Sequence, residues 1–155
     1  MTTPSDRVAV EPCADPGDPG WLALRAALWP DTSEAEHRAE MAAQFAAGPG
    51  RFAQFVARDA HGRAVGLAEA ALRVDHVNGC DSAPVAFLEG LYVAHVARRS
   101  GVARSLVAAV ARWGRARGCT ELASDTPLDN AASQAVHRAL GFAETERVVY
   151  FKAPL

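Results

Sequence analysis

The feature that most constrains the fold is an apolar segment that leads, after a short loop, into an amphipathic one. Residues 85–93 are the most apolar stretch with strand character, which predicts a strand in the centre of a sheet. From Gly101 to about Arg117, a helix is predicted, and Gly118 fits its C-terminal cap. The apolar residues that recur at helical spacing along its buried face are Val102, Leu106, Val110 and Trp113. A central strand that feeds such a helix is typical of domains in which helices cover a sheet.

Weaker patterns on either side predict the remaining elements of a mixed α/β (α+β) domain. Strands are predicted at 7–10, 52–57, 64–74, 121–124 and 147–152. Helices are predicted at 21–29, from a capping box at Ser33 and Glu36 to about residue 47, and at 130–140. The chain has 155 residues, of which 50% are hydrophobic, and it contains no internal repeat. We therefore expect a single domain over residues 1–155, with one mixed central sheet flanked by helices.

Composition and charge argue against several classes of protein. The 16 basic and 18 acidic residues leave no basic excess, which disfavours nucleic acid as a partner. No apolar run approaches the roughly 20 residues that cross a bilayer, and residues 1–6 do not resemble a signal peptide. The cysteines, Cys13, Cys80 and Cys119, lack the spacing of a metal site. We expect a cytoplasmic protein that needs no metal and no membrane.

The loop between the central strand and its helix has the character of an anion cradle. It contains Arg98, Arg99 and Ser100, and the helix begins with Gly101, Val102, Ala103 and Arg104. The first amide groups of a helix have no partner inside it, and the helix dipole adds positive charge there. The loop lacks both the Gly-Lys-Ser/Thr ending of a P-loop and the glycines of a dinucleotide fingerprint. An ordinary strand-to-helix turn with solvated arginines remains an equal alternative.

The pattern Arg98-x-x-Gly101-x-Ala103 after an apolar strand resembles the pyrophosphate-binding motif of the GNAT superfamily of N-acetyltransferases. The later strand at 121–124, Asn130 and the Leu-Gly-Phe of 140–142 follow in the order of that family. The resemblance implies acetyl-CoA as cosubstrate and two central strands that splay at a bulge to form its cleft. It also implies that backbone groups of Leu91, Tyr92 and Val93 pair with the pantetheine arm. The amides from Arg99 to Arg104 then bind the pyrophosphate, with Arg98 also among the coenzyme-binding residues, and Asn130 contacts the coenzyme further along.

Five segments narrow the resemblance to the aminoglycoside 6'-N-acetyltransferases, which confer antibiotic resistance. They are residues 28–30, 75–80, 87–90, 123–126 and 140–148. The resemblance implies direct acetyl transfer to a 6'-amino group in a ternary complex, and a homodimer formed through residues 147–152. It implies that the aminoglycoside site is lined by Trp29, His76, Glu89, Asp125 and Glu146. Another small amine, a peptide, or a non-catalytic role in acyl-CoA sensing are the alternatives, because a fold does not fix a substrate.

Glu89 is the candidate base on physical grounds as well, because it is a lone carboxylate in an apolar strand. Burying an ionised acid in such a strand is costly unless a partner or water is present. It either faces the substrate and accepts a proton from the ammonium group, or is a structural residue paired with a core arginine. Asp125 either binds the polycation or caps a turn. Trp29 is alternatively a core residue and Glu146 a solvated one, and a positive charge on His76 would oppose a cation.

The sequence leaves the proton donor to the departing thiolate open. His137 stands four residues before Gly141-Phe142, where many members of the superfamily have a tyrosine that protonates the thiolate. His137 or water serves as the acid, or no dedicated acid exists and His137 is an ordinary helix residue. The oxyanion is expected near the Val93 amide. No cysteine has an evident histidine–acid partner, which disfavours an acetyl-enzyme intermediate.

Overall fold

One sheet contains five strands in the order in which they occur along the chain, β1-β2-β3-β4-β5. The structure, a computed structural model, describes residues 8–155, so that Arg7 of the predicted first strand lies outside it. The strands are β1 (Ala9–Pro12), β2 (Phe52–Arg58), β3 (Ala64–Arg73), β4 (Val85–Val93) and β5 (Leu122–Ser124). The first four are antiparallel to their neighbours, whereas β5 lies parallel to β4. The predicted mixed sheet with β4 inside it is confirmed.

The described residues form four α-helices, which follow the predicted order along the chain. They are α1 (Pro19–Leu28), α2 (Glu34–Ala47), α3 (Val102–Arg115) and α4 (Ala131–Ala139), and a short 3-10 turn (His95–Ala97) follows β4. The capping box at α2 is confirmed, because Ser33 and Glu36 each accept a hydrogen bond from the other's backbone amide. None of the helices in the described part of the chain is long and apolar enough to cross a membrane.

The helices cover both faces of the sheet. On the α1/α2 face, Trp21 and Met41 pack against Val56 and Leu67 of the strands. On the opposite α3 face, the buried stripe of α3 packs against alternate residues of β2, β3 and β4. Gly114 lets α3 approach β4, because a Cβ at that position would lie 2.7 Å from the Cβ of Ala86. The result is two cores separated by one sheet.

A β-bulge interrupts the pairing of β3 with β4. Glu69 lies opposite Gly90 and Ala70 lies opposite Leu88, so that Glu89 is the extra residue. On its other side, β4 pairs with β5 only at 86–88, and Leu88 opposite Ser124 is the last pair. Beyond that pair the two strands diverge, and a cleft opens between them. The splayed central strands expected from the sequence are therefore present.

The predicted closing strand at 147–152 is wrong for the single chain. Residues 142–155 form no strand, and the exposed fractions of Val149, Tyr150 and Phe151 are 76%, 81% and 91%. The residues have strand propensity, but a strand needs a partner, and these lie on none of the five strands of this sheet. The outer edge of β5 is likewise without a neighbour among the described residues.

Candidate active site

The loop before α3 presents backbone amides to solvent at a left-handed turn. Gly101 is the N-cap of α3 with φ of 81°, and Arg99 also has a positive φ, of 61°. No side chain among the described residues caps this terminus, so the first amides of α3 are open to a ligand. A Cβ at Gly101 would meet nothing within 4 Å. Glycine is therefore favoured here by the backbone angle, and not by a need for space.

Two of the loop arginines donate hydrogen bonds to backbone carbonyls of the protein. Arg98 Nε donates to the Val93 carbonyl at 2.9 Å, and Arg104 Nη2 donates to the Ala139 carbonyl at 3.2 Å. Ser100 Oγ donates to the Ala97 carbonyl. The side chains of Arg98, Arg99 and Arg104 are exposed, so the loop still carries positive charge at the helix terminus. The geometry is that of an anion cradle built from main-chain amides with cationic side chains around it.

The backbone of β4 turns alternate peptide groups toward the cleft. The Ala94 amide donates to the Val65 carbonyl of β3 at 2.8 Å. Hydrogen-bonded and non-hydrogen-bonded pairs alternate along an antiparallel ladder, so the peptide groups of Leu91 and Val93 point away from β3. Those of Tyr92 point toward Leu67 in β3. Leu91 and the Val93 amide thus offer free groups to the cleft, while the Val93 carbonyl accepts from Arg98. The predicted backbone contact of Tyr92 conflicts with its pairing in the sheet.

A cavity of about 420 Å³ opens on the α1/α2 face beside the bulge. It is lined by Arg25, Trp29, Thr32, Glu40, Gln44, Phe52, Glu69, Ala70 and Glu89. Trp29 is half-buried and lies against Gly90, where a Cβ would come within 2.6 Å of the indole. Trp29 is therefore a wall of the cavity and not a residue of the core.

Glu89 faces this cavity and is only partly buried. Its side chain is 37% exposed and accepts a hydrogen bond from Arg73 Nη2 at 3.0 Å. The Arg73 side chain is 42% exposed, so the partner of Glu89 is a surface arginine and not a core arginine. The bulge explains the position, because the extra residue opens the strand toward solvent. Glu89 is a carboxylate at a cavity mouth that water reaches.

The buried carboxylate is instead Glu69, which the sequence reasoning missed. Both of its oxygens lie 2.6 Å from Arg25 Nη1, and Trp21 Nε1 donates to it at 2.7 Å. Glu69 and Arg25 are each 2% exposed. A signal existed in the sequence: both residues are charges within apolar patterns, Glu69 in a strand and Arg25 between Trp21 and Leu28 of one helix. A buried charge of one sign predicts a partner of the other.

This buried pair supports the cavity wall. The Arg25 guanidinium carbon lies 4.8 Å from the centroid of the Trp29 ring, within range of a cation–π contact. Arg25 Nε donates to His37 Nδ1 at 3.3 Å, and His37 Nε2 donates to the Trp29 carbonyl at 3.2 Å. Glu40, which is 55% exposed, also accepts from Arg25. Both the ring and the backbone of Trp29 are therefore fixed by groups below the cavity.

The other predicted substrate residues lie outside this cavity. Asp125 is exposed directly after β5, beside the cleft. His76 and Glu146 are exposed on segments that are neighbours, since a Cβ at Gly79 would collide with Thr145. The structure brings Trp29 and Glu89 together, but it does not bring these three residues to them.

His137 lies at the base of the cleft. Its Nε2 is 2.8 Å from Ser124 Oγ, and its Nδ1 is 2.7 Å from the Ser133 carbonyl. The Phe142 ring packs edge-on against it at 5.3 Å between centroids. Asn130 caps α4 by accepting a hydrogen bond from the Ser133 amide. His137 is thus held by both ring nitrogens next to the point where β4 and β5 diverge.

The cysteines are poor nucleophiles in this fold. Burial raises the pKa of Cys13 to about 12, and burial also raises the pKa of Cys80 and of Cys119. Because the thiolate is the reactive form, all three thiols stay protonated near neutral pH.

Comparisons with known proteins agree with this geometry. Residues 21–142 match the acetyltransferase (GNAT) family. An aminoglycoside N(6')-acetyltransferase type 1 of Serratia marcescens is 56% identical over 135 residues, which cover 87% of this chain and 91% of the relative. The structure of AAC(6')-Iy with a bisubstrate analogue, CoA-S-monomethyl-acetylneamine, has a TM-score of 0.90 and 43% identity, over 96% of this chain and 99% of that one. A complex of the same enzyme with CoA has a TM-score of 0.92 and 42% identity over the full length of both chains.

The same substitution at the two glutamates should lower the free energy of unfolding by different amounts. We expect Glu69→Gln to lower the free energy of unfolding by about 3 kcal/mol, because it leaves the buried Arg25 charge without its counter-charge. The matched Glu89→Gln removes only an exposed pair and should cost less than about 1 kcal/mol. Urea unfolding followed by tryptophan fluorescence measures both, and equal losses would contradict the assignment of burial.

Proposed function

Since this chain belongs to the acetyltransferase (GNAT) family, we propose that it transfers the acetyl group of acetyl-CoA to the 6'-amino group of aminoglycosides and thereby confers resistance. The observation that carries the proposal is the likeness, over nearly the whole chain, to an enzyme bound to an analogue that joins CoA to an acetylated aminoglycoside. The cavity at Glu89 and Trp29 offers a place for the aminoglycoside half of such an analogue, and the adjacent cleft offers one for the CoA half. We place the activity in the cytoplasm, where acetyl-CoA is available.

The residues around the cleft fit acetyl-CoA. The uncapped amides at the start of α3 suit a pyrophosphate, and the free peptide groups of Leu91 and the free amide of Val93 suit the amides of a pantetheine arm. Asn130 uses its side-chain oxygen to cap α4, which leaves its NH₂ group for the coenzyme. The residues that we propose to hold the pyrophosphate are Arg98, Arg99, Ser100, Gly101, Val102, Ala103 and Arg104.

The cavity on the α1/α2 face fits a polycationic acceptor. Glu40 and Glu89 are both partly exposed at it, and Trp29 offers an aromatic wall for a sugar ring. Carboxylates concentrate a cation locally without making the whole protein acidic. Asp125, His76 and Glu146 remain proposals as acceptor contacts, and they would extend the site beyond this cavity.

The chemistry that we propose is direct transfer between two bound substrates. Glu89 accepts a proton from the 6'-ammonium group, directly or through water, and the neutral amine attacks the thioester carbonyl. The Val93 amide faces the cleft and can donate to the oxyanion, and His137 supplies the proton for the departing thiolate. The raised thiol pKa values favour this route over an acetyl-enzyme. Positioning of the two reactants contributes the largest share, because effective molarities of oriented groups are high.

A matched pair of antibiotics tests the reaction and its position on the acceptor. We expect thiol release from acetyl-CoA with an aminoglycoside that bears a 6'-amine, and none with its 6'-hydroxyl counterpart. Turnover with neither, but with another amine, would contradict the choice of acceptor. Tight binding of acetyl-CoA without any turnover would indicate a sensor.

Replacement of the proposed base should affect the chemical step and not the coenzyme. We expect Glu89→Gln to lower kcat about 100-fold, within the range usual for a general base, while the affinity for acetyl-CoA stays within about twofold. Glu11→Gln is the matched control, because Glu11 is also an exposed strand carboxylate paired with an arginine, Arg58. A wild-type rate in Glu89→Gln would exclude the role as base.

We also propose that the protein forms a homodimer through residues 147–152. This segment has exposed apolar side chains and strand propensity, and the outer edge of β5 has no neighbouring strand among the described residues. In a dimer, the segment of one copy can pair with the free β5 edge of the other. The segment then forms in the dimer the strand that it does not form in one chain.

If the dimer forms through this segment, negative charges placed on it should halve the molecular mass in solution. We expect Val149→Glu with Phe151→Glu to give monomers in sedimentation equilibrium at concentrations where the wild type is dimeric. Lys152→Ala in the same segment serves as the control and should stay dimeric. A monomeric wild type would contradict the proposal.

A further inference from the structure

The hydrogen-bond partners of His137 determine which of its nitrogens carries a hydrogen. Nδ1 lies 2.7 Å from the Ser133 carbonyl, one turn earlier in α4, and 3.4 Å from Ser133 Oγ. The contact with the carbonyl is much the shorter and decides the direction. A carbonyl only accepts, so Nδ1 must donate in the neutral ring as well as in the charged one. In the neutral ring, Nε2 is therefore the acceptor, and it faces Ser124 Oγ at 2.8 Å. The tautomer is set by the helix and not by the cleft.

Ser124 completes a chain that accommodates either charge state. When His137 is neutral, the Ser124 hydroxyl donates to Nε2. When His137 is charged, Nε2 donates to Ser124 Oγ, and the hydroxyl turns to the Leu88 carbonyl, 3.2 Å away. All hydrogen bonds are satisfied in both states, and only the hydroxyl hydrogen moves. The pair can thus hold or release one proton without displacing a heavy atom.

The position of Ser124 directs this chain at the cleft. Leu88 and Ser124 are the last paired residues before β4 and β5 diverge, so the hydroxyl stands at the floor of the opening. Leu122 packs into the core of the α3 face and Ala123 into the cluster of Phe87, and strand alternation puts Ser124 on the α3 face. Glu89 lines the cavity on the opposite face. The serine is half-buried at this end of β5.

We infer that Ser124 delivers the proton of His137 to the departing thiolate. As the carbon–sulfur bond breaks, its electron pair leaves with sulfur. The Ser124 hydroxyl turns from the Leu88 carbonyl to the sulfur, which takes the hydroxyl hydrogen. Ser124 Oγ takes the Nε2 hydrogen of His137, and the imidazolium becomes neutral while it keeps its Nδ1 hydrogen. Solvent then recharges the ring. The inference rests on the proposed acetyl transfer and assigns to that reaction a residue beyond those considered from the sequence.

Kinetics of serine variants test the relay. We expect Ser124→Ala to lower kcat about 10-fold or more, as for other lost proton donors, with KM for both substrates within about twofold. Ser124→Thr keeps a hydroxyl and should retain most of the rate, which separates the relay from packing. Thr120→Ala, which removes an exposed hydroxyl just before β5, is the control and should match the wild type.

A double variant adds the coupling between the two residues. In Ser124→Ala with His137→Phe, the loss should be close to the larger single loss, because both variants break one chain. The relay would be overturned if the loss of kcat in the double variant equalled the product of the two single losses. A wild-type kcat in Ser124→Ala would also overturn it. A wild type that acetylates no amine would instead contradict the proposed function.

The hydrogen on His137 provides a readout that needs no turnover. Long-range ¹H–¹⁵N correlation spectra of the labelled wild type should show the Nδ1-bound hydrogen at every pH at which the protein is folded. The Nε2 signal of neutral His137 should shift in Ser124→Ala because its donor is lost. A neutral ring with its hydrogen on Nε2 would overturn the relay, whatever the kinetics show.

Discussion

The extra residue in β4 sets the geometry on which both halves of the site depend. Glu89 interrupts the register between β3 and β4, and β4 diverges from β5 directly after its last pair at Leu88. The bulge carries Glu89 to the cavity mouth and leaves Gly90 beneath the Trp29 indole. Beyond it, the peptide groups of Leu91 and Val93 have no strand beside them. In the proposed function, this one irregularity thus lies between the cleft for acetyl-CoA and the carboxylate that faces the acceptor.

The bulge lies beside the buried ion pair of Glu69 and Arg25, whose removal from water costs free energy. Glu69, opposite Gly90, forms with Arg25 an ion pair that is removed from water, and such a pair stabilises little compared with apolar packing. Its value lies in position: Arg25 contacts the ring of Trp29, and His37 holds the Trp29 carbonyl. The cavity wall therefore rests on groups whose rotamers are fixed by several hydrogen bonds. A preorganised wall reduces the entropy lost when a flexible polycation binds.

The sequence predicted the local features of this protein better than those that depend on pairing. The helix after β4, its glycine cap and the Ser33 capping box follow from contacts a few residues apart, and the structure confirms them. The closing strand at 147–152 has the right residues, but no partner in one chain, and periodicity does not report partners. Glu89 and Glu69 look alike in sequence, as single carboxylates in apolar strands. Only the bulge and the arginine in α1, far away in the chain, make one exposed and the other buried.

In the reaction that we propose, the sheet separates the two proton transfers. Glu89 lies on the α1/α2 face and is the proposed base for the amine, and the pair of Ser124 and His137 lies on the α3 face and is the proposed donor to the thiolate. A single group that served both steps would need to reach both reacting atoms. Two groups on opposite faces, each half-exposed, can instead exchange protons with solvent independently. Because the pairing of β4 with β5 ends at Leu88, we propose that a thioester carbonyl bound there has access to both faces, so that the bulge beside this point also makes the separation possible.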